Sequence, residues 1–342
     1  MSEHAAKSVI KTYFILGPVP LVMDFAGPSE VLRRVNMTQD KVFFDVEFVG
    51  LHNEIQTSIG LPLTNIKALP EKLDDDAMVI ISGGASQMLG PEEQPAEALL
   101  AAENRQISNW LKTHIRPSHS LVTICNGALL AAEAGLFNNH YCTTHHDSLE
   151  ALTSVHPSIK VEENRLFTED RNRYASAGIT SGTDLMLHII GQRLGPAIAA
   201  ETAKFMVVYA RRNGNDPQIS PWLQGREHLH PAIHRIQDLI AQNPTKDWDV
   251  IALAKQANMS ARHFSRLFNS QTGLSIPDYV NGLRVAIAEN ALRAQKVQIE
   301  QLVGDLGFGS SRQFRRAWGR HHALTPLQWR QHQATSNARQ SV

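Results

Sequence analysis

The last third of this 342-residue chain contains one stretch written twice, 50 positions apart. Ser260, Arg262, Phe264, Arg266 and Phe268 recur as Ser310, Arg312, Phe314, Arg316 and Trp318. The register continues with Leu274, Ser275 and Tyr279, answered by Leu324, Thr325 and Trp329. A segment repeated at this period is one supersecondary unit used twice, which rules out most folds for this part of the chain.

Each copy reads as a helix-turn-helix. In the first, Val250, Leu253, Ala254 and Ala257 line one face of a helix, Asn258 and Met259 fall in the turn, and Ser260 caps the next helix. That helix turns Phe264, Leu267 and Phe268 inward and Arg262, Ser265 and Arg266 outward. In the second copy Leu302, Val303 and Leu306 form the supporting helix, Gly307 makes the turn, Ser310 caps, and Ser311, Arg312, Arg315 and Arg316 face out. A helix fits the DNA major groove, and the arginine fork grips guanine edges or phosphates there. Between Pro277 and Lys296 lies a helical stretch of about 20 residues, or roughly 30 Å at 1.5 Å per residue. That length approaches one turn of duplex, so the two outward faces can enter successive major grooves.

Charge supports the same reading. The formal net charge is zero, yet Gly225 to Val342 holds 15 Lys and Arg against 8 Asp and Glu, while the remainder holds 18 against 25. The C-terminal part therefore carries +7 and the rest −7, which assigns phosphate attraction to the repeat. Residues 230 to 330 resemble the AraC-type DNA-binding domain. The resemblance is carried by Ala254, Ser260, Arg266, Phe268, Gly273-Leu274-Ser275-Ile276-Pro277, Tyr279, Arg284, Gly307-Phe308, Phe314, Arg316, Thr325-Pro326 and Arg330. His322 and Ala323 depart from that family's usual Phe-Gly, and Ala323 lacks glycine's access to positive φ, so the turn before Thr325 is expected to close differently.

Such a module cannot occupy the whole chain. Upstream, apolar β-rich runs at Tyr13 to Leu16, Val46 to Val49, Met78 to Ile81 and Leu121 to Ile124 alternate with helical patterns. The helices are expected at Glu30 to Asn36, Glu97 to His114, Gly127 to Ala134, Thr183 to Arg193 and Pro196 to Arg211. This predicts an α/β fold, a flavodoxin-like parallel-sheet sandwich, followed by an all-α domain with two helix-turn-helix motifs. The expected boundaries are 1–212 for the sandwich, 213–226 for a linker, 227–332 for the DNA-binding domain, whose first helix is Pro231 to Gln242, and 333–342 for a flexible tail. No run of 18 apolar residues occurs, and the start lacks the apolar core of a signal peptide, so the expected location is the cytoplasm.

In open parallel sheets, ligands settle beyond the carboxyl ends of the strands. Three such ends carry chemistry here. At Ser82-Gly83-Gly84, missing side chains let backbone N–H groups approach a ligand. At Cys125-Asn126-Gly127 a thiol meets the start of a helix, an environment expected to favour thiolate. Thr143-Thr144-His145 follows a further short strand. Residues 10 to 210 resemble the DJ-1/PfpI branch of class I glutamine-amidotransferase-like folds. The resemblance rests on Asp24-Phe25-Ala26-Gly27-Pro28-Ser29-Glu30-Val31, Ser82-Gly83-Gly84, Ile124-Cys125-Asn126-Gly127-Ala128, Ala134-Gly135-Leu136, Thr143-Thr144-His145 and Ser176-Ala177-Gly178. It implies an elbow cysteine at Cys125, a histidine partner at His145 and an acid near the thiol at Asp24. Asn126, His146 and Asp24 depart from frequent family choices.

The two resemblances together imply a bacterial transcriptional regulator, more often an activator, responding to an amino acid or small quaternary amine. Its implied partners are double-stranded DNA, a small-molecule effector, RNA polymerase and a second copy of itself. Asp24, Gly83, Gly84, Cys125, Asn126 and His145 are then the rim of a sensing pocket, and the chain is not expected to be an enzyme. The alternative is a Cys-dependent hydrolase or hydratase using Cys125, His145 and Asp24. No cofactor or metal is expected: His145, His146 and His156 match no zinc spacing, and Gly304 to Gly309 follows no strand, as a phosphate loop would.

Overall fold

The computed structural model describes residues 7–89, 95–208, 212–293, 297–322 and 324–331. The chain divides into two compact units, Met1–Gln218 and Ile219–Val342.

The first unit is built on a seven-stranded sheet. Its strands are β1 (Ser8–Leu16), β2 (Val42–Gly50), β3 (Lys67–Ala68), β4 (Met78–Ile81), β5 (Ser120–Ile124), β6 (Phe167–Asp170) and β7 (Arg173–Ser176), in the order β6-β7-β5-β4-β1-β2-β3. All neighbours are parallel except the edge pair β6 and β7. Alternation along each strand feeds two cores. Phe14, Leu16, Met78, Ile80, Val122 and Ile124 meet helices α1 (Val22–Thr38), α5 (Ser181–Leu194) and α6 (Pro196–Phe205) on one face. Tyr13, Ile15, Val79, Ile81 and Leu121 meet α2 (Glu97–His114), α3 (Gly127–Glu133) and α4 (Leu149–Val155) on the other. A strand buried on both faces reads as an unbroken apolar run, and for this reason β4 and β5 stand out in the sequence.

Two expectations are revised and one hairpin is added. The helix read from Glu30 begins at Val22 and carries Pro28 in its interior. Proline normally ends a helix, but here the α1 surface is seated on α5, with Gly27 closed against Thr183 and Pro28 itself buried. The β6-β7 hairpin turns at Arg171 and Asn172 with no glycine to announce it, Arg171 itself taking positive φ at 58°. The helix expected to reach Arg211 stops at Phe205, and residues 209–211 lie outside those described.

The segment read as a linker, 213–226, is shared between the units. Leu166 N donates to the carbonyls of Gly214 and Asp216, each at 3.0 Å, and Gln218 Nε2 donates to Thr144 O at 2.9 Å. Further on, Gln237 Nε2 donates to Gly225 O at 2.7 Å and Trp222 packs on the second unit's core. Backbone pairing of this kind leaves no apolar period, which is why the sequence presents it as unattached.

The second unit is helical: α7 (Pro231–Gln242), α8 (Val250–Gln256), α9 (Ala261–Thr272), α10 (Ile276–Arg293), α11 (Ile299–Asp305) and α12 (Ser311–Trp318). It contains two cores. Ile236, Leu253, Phe264, Phe268 and Tyr279 close one, and Leu302, Leu306, Phe314, Trp318 and Trp329 close the other. The repeat is therefore structural: Phe264 and Phe268 do in one lobe what Phe314 and Trp318 do in the other. The turns differ by one residue. Asn258, φ 55°, and Gly307, φ 75°, are each followed by an N–H reaching back, Met259 to Ala254 O and Phe308 to Val303 O. Those positions are 49 apart and the capping serines 50, because Gly309 is inserted before Ser310. Among the described residues, no helix is long and apolar enough to cross a membrane. Ala323 and the tail 333–342 lie outside the described residues, as do the first six.

Candidate functional site

The chain runs from β1 outward to β2, then returns to the other side of β1 for β4, so the winding reverses between β1 and β4. The chemically loaded turns gather at this reversal. Cys125 leaves β5 at φ 55°, an uncommon conformation for a residue with a side chain, and its N–H donates to Ser176 O at 3.0 Å. Thr144 Oγ1 donates to Cys125 O at 2.8 Å, fixing the elbow from the other side. Gly178, φ 98°, is obligatory here, since a Cβ would lie 2.3 Å from that of Cys125 and 2.7 Å from its sulfur.

Asp24, in the first turn of α1, is completely buried. Its Oδ2 accepts from Gly83 N at 3.1 Å and its Oδ1 from Ile179 N at 2.7 Å. Burial pushes its pKa up to about 6, partly offset by these two donors. Gly84 N donates to Asn126 Oδ1 and Asn126 Nδ2 donates to Gly84 O, both at 2.8 Å. The Gly83 and Gly84 N–H groups expected to meet a ligand are thus engaged by protein side chains. Asn126, the N-cap of α3, spends its amide on this pair and makes no capping bond.

The expected thiolate is also corrected. Burial, and secondarily the Asp24 carboxylate, push the Cys125 thiol up to about 12. Desolvation outweighs a seven-residue helix, and the nearby acid opposes a second negative charge. His145 does not hydrogen-bond the sulfur among the described residues. Its Nδ1 accepts from Asp147 N at 3.4 Å, and its ring lies on that of His146, with centroids 4.1 Å apart. Burial, followed by His146, holds the His145 pKa below the ordinary histidine value. Donor atoms of His145, His146 and Asp147 lie within 4.8 Å of one another, an arrangement the sequence reading missed by looking to His156, which instead ends α4. A thiol nucleophile needs thiolate and a hydrogen-bonded base, and among the described residues Cys125 Sγ has no hydrogen bond to His145 or Asp24.

Beside the elbow, on the α2 and α3 side, is a cavity of about 290 Å³ lined by Gly17, Gly84, Asn104, Asn126, Leu129 and Glu133, among others. It suits a small metabolite. Of the expected rim, Gly84 and Asn126 line it and Asp24, Gly83, Cys125 and His145 do not. Asn104 and Glu133 were missed because a polar residue on a helix reads as a solvated face.

The second candidate surface lies on α9 and α12. Ser260 Oγ accepts from His263 N at 3.3 Å and Ser310 Oγ from Gln313 N at 3.2 Å, so both serines cap as expected. Gln313 Oε1 reaches back to accept from Gly309 N at 2.9 Å, a reciprocal cap that the first copy lacks. Arg262, Ser265, Arg266, Arg312, Arg315 and Arg316 are exposed, and Ser311 is half-buried. Arg262 and Arg312 are each the second residue of their helix, at the end that meets base edges in helix-turn-helix proteins. Among the described residues, none of these five arginines has an ion-pair partner; the unit's pairs, Arg226 with Asp238, Arg320 with Asp278 and His322 with Glu289, are elsewhere.

Comparison with known proteins agrees with both halves. Residues 11–192 match the DJ-1/PfpI family, and residues 253–332 match a helix-turn-helix domain. The transcriptional regulator GbdR of Pseudomonas aeruginosa is 26% identical over 317 residues, covering 91% of this chain and 82% of that one. GlxA of Rhizobium meliloti, another transcriptional regulator, is 26% identical over 323 residues, covering 94% and 95%. The isonitrile hydratase of Pseudomonas putida is 26% identical over 201 residues, covering 58% of this chain and 77% of that enzyme. The chain belongs to the DJ-1/PfpI family and joins that domain to an AraC-type helix-turn-helix domain, the make-up of a DNA-binding transcriptional regulator.

Proposed function

We propose that this regulator reads a two-part DNA site through α9 and α12 and is controlled by a small metabolite, an amino acid or quaternary amine, held in the first unit. The observation that carries the proposal is the matched set of exposed, unpaired arginines on two capped helices of repeated sequence. Arg262, Ser265 and Arg266 would read one half of the site, Ser311, Arg312, Arg315 and Arg316 the other, with Ser260 and Ser310 at the helix starts beside phosphates.

The effector site is proposed at the rim formed by Asp24, Gly83, Gly84, Cys125, Asn126 and His145, extended into the neighbouring cavity, where the Glu133 carboxylate suits a cationic amine. A neutral thiol with no base in hydrogen-bond reach favours binding over turnover, although the likeness to a hydratase keeps the Cys-dependent alternative testable. In this reading the protein acts in the cytoplasm as a homodimer, engages RNA polymerase and activates transcription. The effector favours one arrangement of the DNA-binding units because it binds the alternatives unequally.

Thermal unfolding of the full chain across a panel of amino acids and betaines tests the effector proposal. A true effector raises the midpoint and changes DNA affinity at the same concentration. A compound that stabilises the protein without altering DNA binding contradicts the coupling, and a panel that includes no stabilising compound contradicts the ligand class.

A further inference from the structure

The two lobes of the second unit share one helix. The first half of α10 gives Ile276, Tyr279, Val280 and Leu283 to one core, and the second half gives Val285, Ala288 and Leu292 to the other. Arg284 stands between the last residue of the first set and the first of the second, and it is 5% exposed. Its Nε donates to Pro244 O at 2.9 Å and its Nη2 to Lys246 O at 2.8 Å, both in the loop before α8. Its Nη1 donates to Gly307 O at 2.8 Å, in the turn of the other lobe, and its guanidinium lies 5.6 Å from the Phe308 ring centre. One planar fork therefore ties the loop leading to the first supporting helix to the turn of the second motif.

Gly307 gives an independent observation at the same seam. A Cβ there would lie 2.2 Å from Thr245 O and 3.0 Å from Arg284 Nη2, and its φ is 75°. Backbone meets backbone across the two lobes, with the Arg284 guanidinium against the contact. Beside the seam is a cleft of about 460 Å³ that Arg284, Gly307 and Gln313 help to line.

We propose that Arg284 and Gly307 are spacing determinants: they lock the angle between α9 and α12, so the chain accepts only one separation of its two half-sites. Neither residue touches DNA in this account, and each acts by positioning the lobes. The inference rests on the two-helix reading of DNA proposed above.

The test uses full-length protein and a duplex it selects from a random-sequence pool, together with derivatives in which one to five base pairs are inserted between the half-sites. Each inserted base pair moves one half by roughly 3.4 Å and about 35° around the duplex axis. Wild-type affinity is expected to fall about tenfold or more on the first insertion, as for a lost base contact. Arg284→Lys and Gly307→Ala are expected to bind an isolated half-site within about twofold of wild type, to lose about tenfold on the full site, and to show a flattened spacing profile. A variant that is merely destabilised loses half-site and full-site binding together and keeps the wild-type profile, and that result overturns the proposal. The wild-type profile tests it without any variant: indifference to spacing on a duplex with two recognised halves overturns the locked angle and leaves the two-helix reading intact. Selection of a duplex with only one recognised half contradicts the two-helix reading itself.

Discussion

At the scale of single residues, position and chemical state diverge. The sequence marks Cys125, Asp24 and the Gly83-Gly84 turn by resemblance, and the fold brings them to one place. Their ionisation and bonding depend on burial, which no motif records. The thiol therefore has a clear signature: alkylation of Cys125 by iodoacetamide, followed by mass spectrometry, should keep rising with pH beyond 10, as befits a pKa of about 12. A rate that levels off below pH 9 would contradict the neutral thiol. Asp24 has the opposite sign from a salt-bridged acid. Its folded pKa, about 6, lies above the ordinary 3.8, so the folded protein holds this proton more tightly than the unfolded chain. The stability Asp24 contributes is then greatest below about pH 4, declines as pH rises towards 6 and is constant above, a change of about 3 kcal/mol. Urea unfolding of wild type and Asp24→Asn should show the wild-type advantage shrinking over that range. An advantage that grows with pH would show that the two backbone donors outweigh burial.

At the scale of elements, legibility follows how each element is buried. Strands β4 and β5 are covered on both faces and declare themselves as apolar runs. Helix α2 is read to its ends, Glu97 and His114, because an amphipathic stripe begins and ends there. The β6-β7 hairpin mixes Thr168, Glu169, Asp170 and Arg173 with its apolar positions and turns without glycine, so neither the alternation nor the turn shows. Helix α1 begins eight residues earlier than read because Pro28 carries the signal of a helix end while tertiary packing overrides it. Helices α9 and α12 are legible because a repeat shows which positions are held in common: Phe264 and Phe314 inside, Arg262 and Arg312 outside. Replacing Arg262 or Arg312 by Ala should each cost about 1–3 kcal/mol of specific binding and relax preference at one base position, measured by anisotropy on single-base variants of the site. A loss equal on every sequence would make that arginine a phosphate contact.

At the scale of the whole molecule, the two units carry opposite net charge and distinct tasks. The acidic first unit has the cavity and the elbow, and the basic second unit has the two arginine-bearing helices α9 and α12. If the elbow is a binding rim and not a reactive centre, Cys125→Ser should leave the transcriptional response to an effector within about twofold in a reporter strain, a difference of about 0.4 kcal/mol. Loss of the response, together with loss of turnover of an amide or isonitrile, would establish catalysis as the signal. The central claim concerns two helices of one chain reading one duplex, and hydroxyl-radical footprinting of the full-length protein tests it most directly. The account predicts two protected tracts per chain on one face of the duplex, about one helical turn apart, with Arg262→Ala weakening one tract and Arg312→Ala the other. A single tract, or both tracts lost equally with either variant, would contradict it.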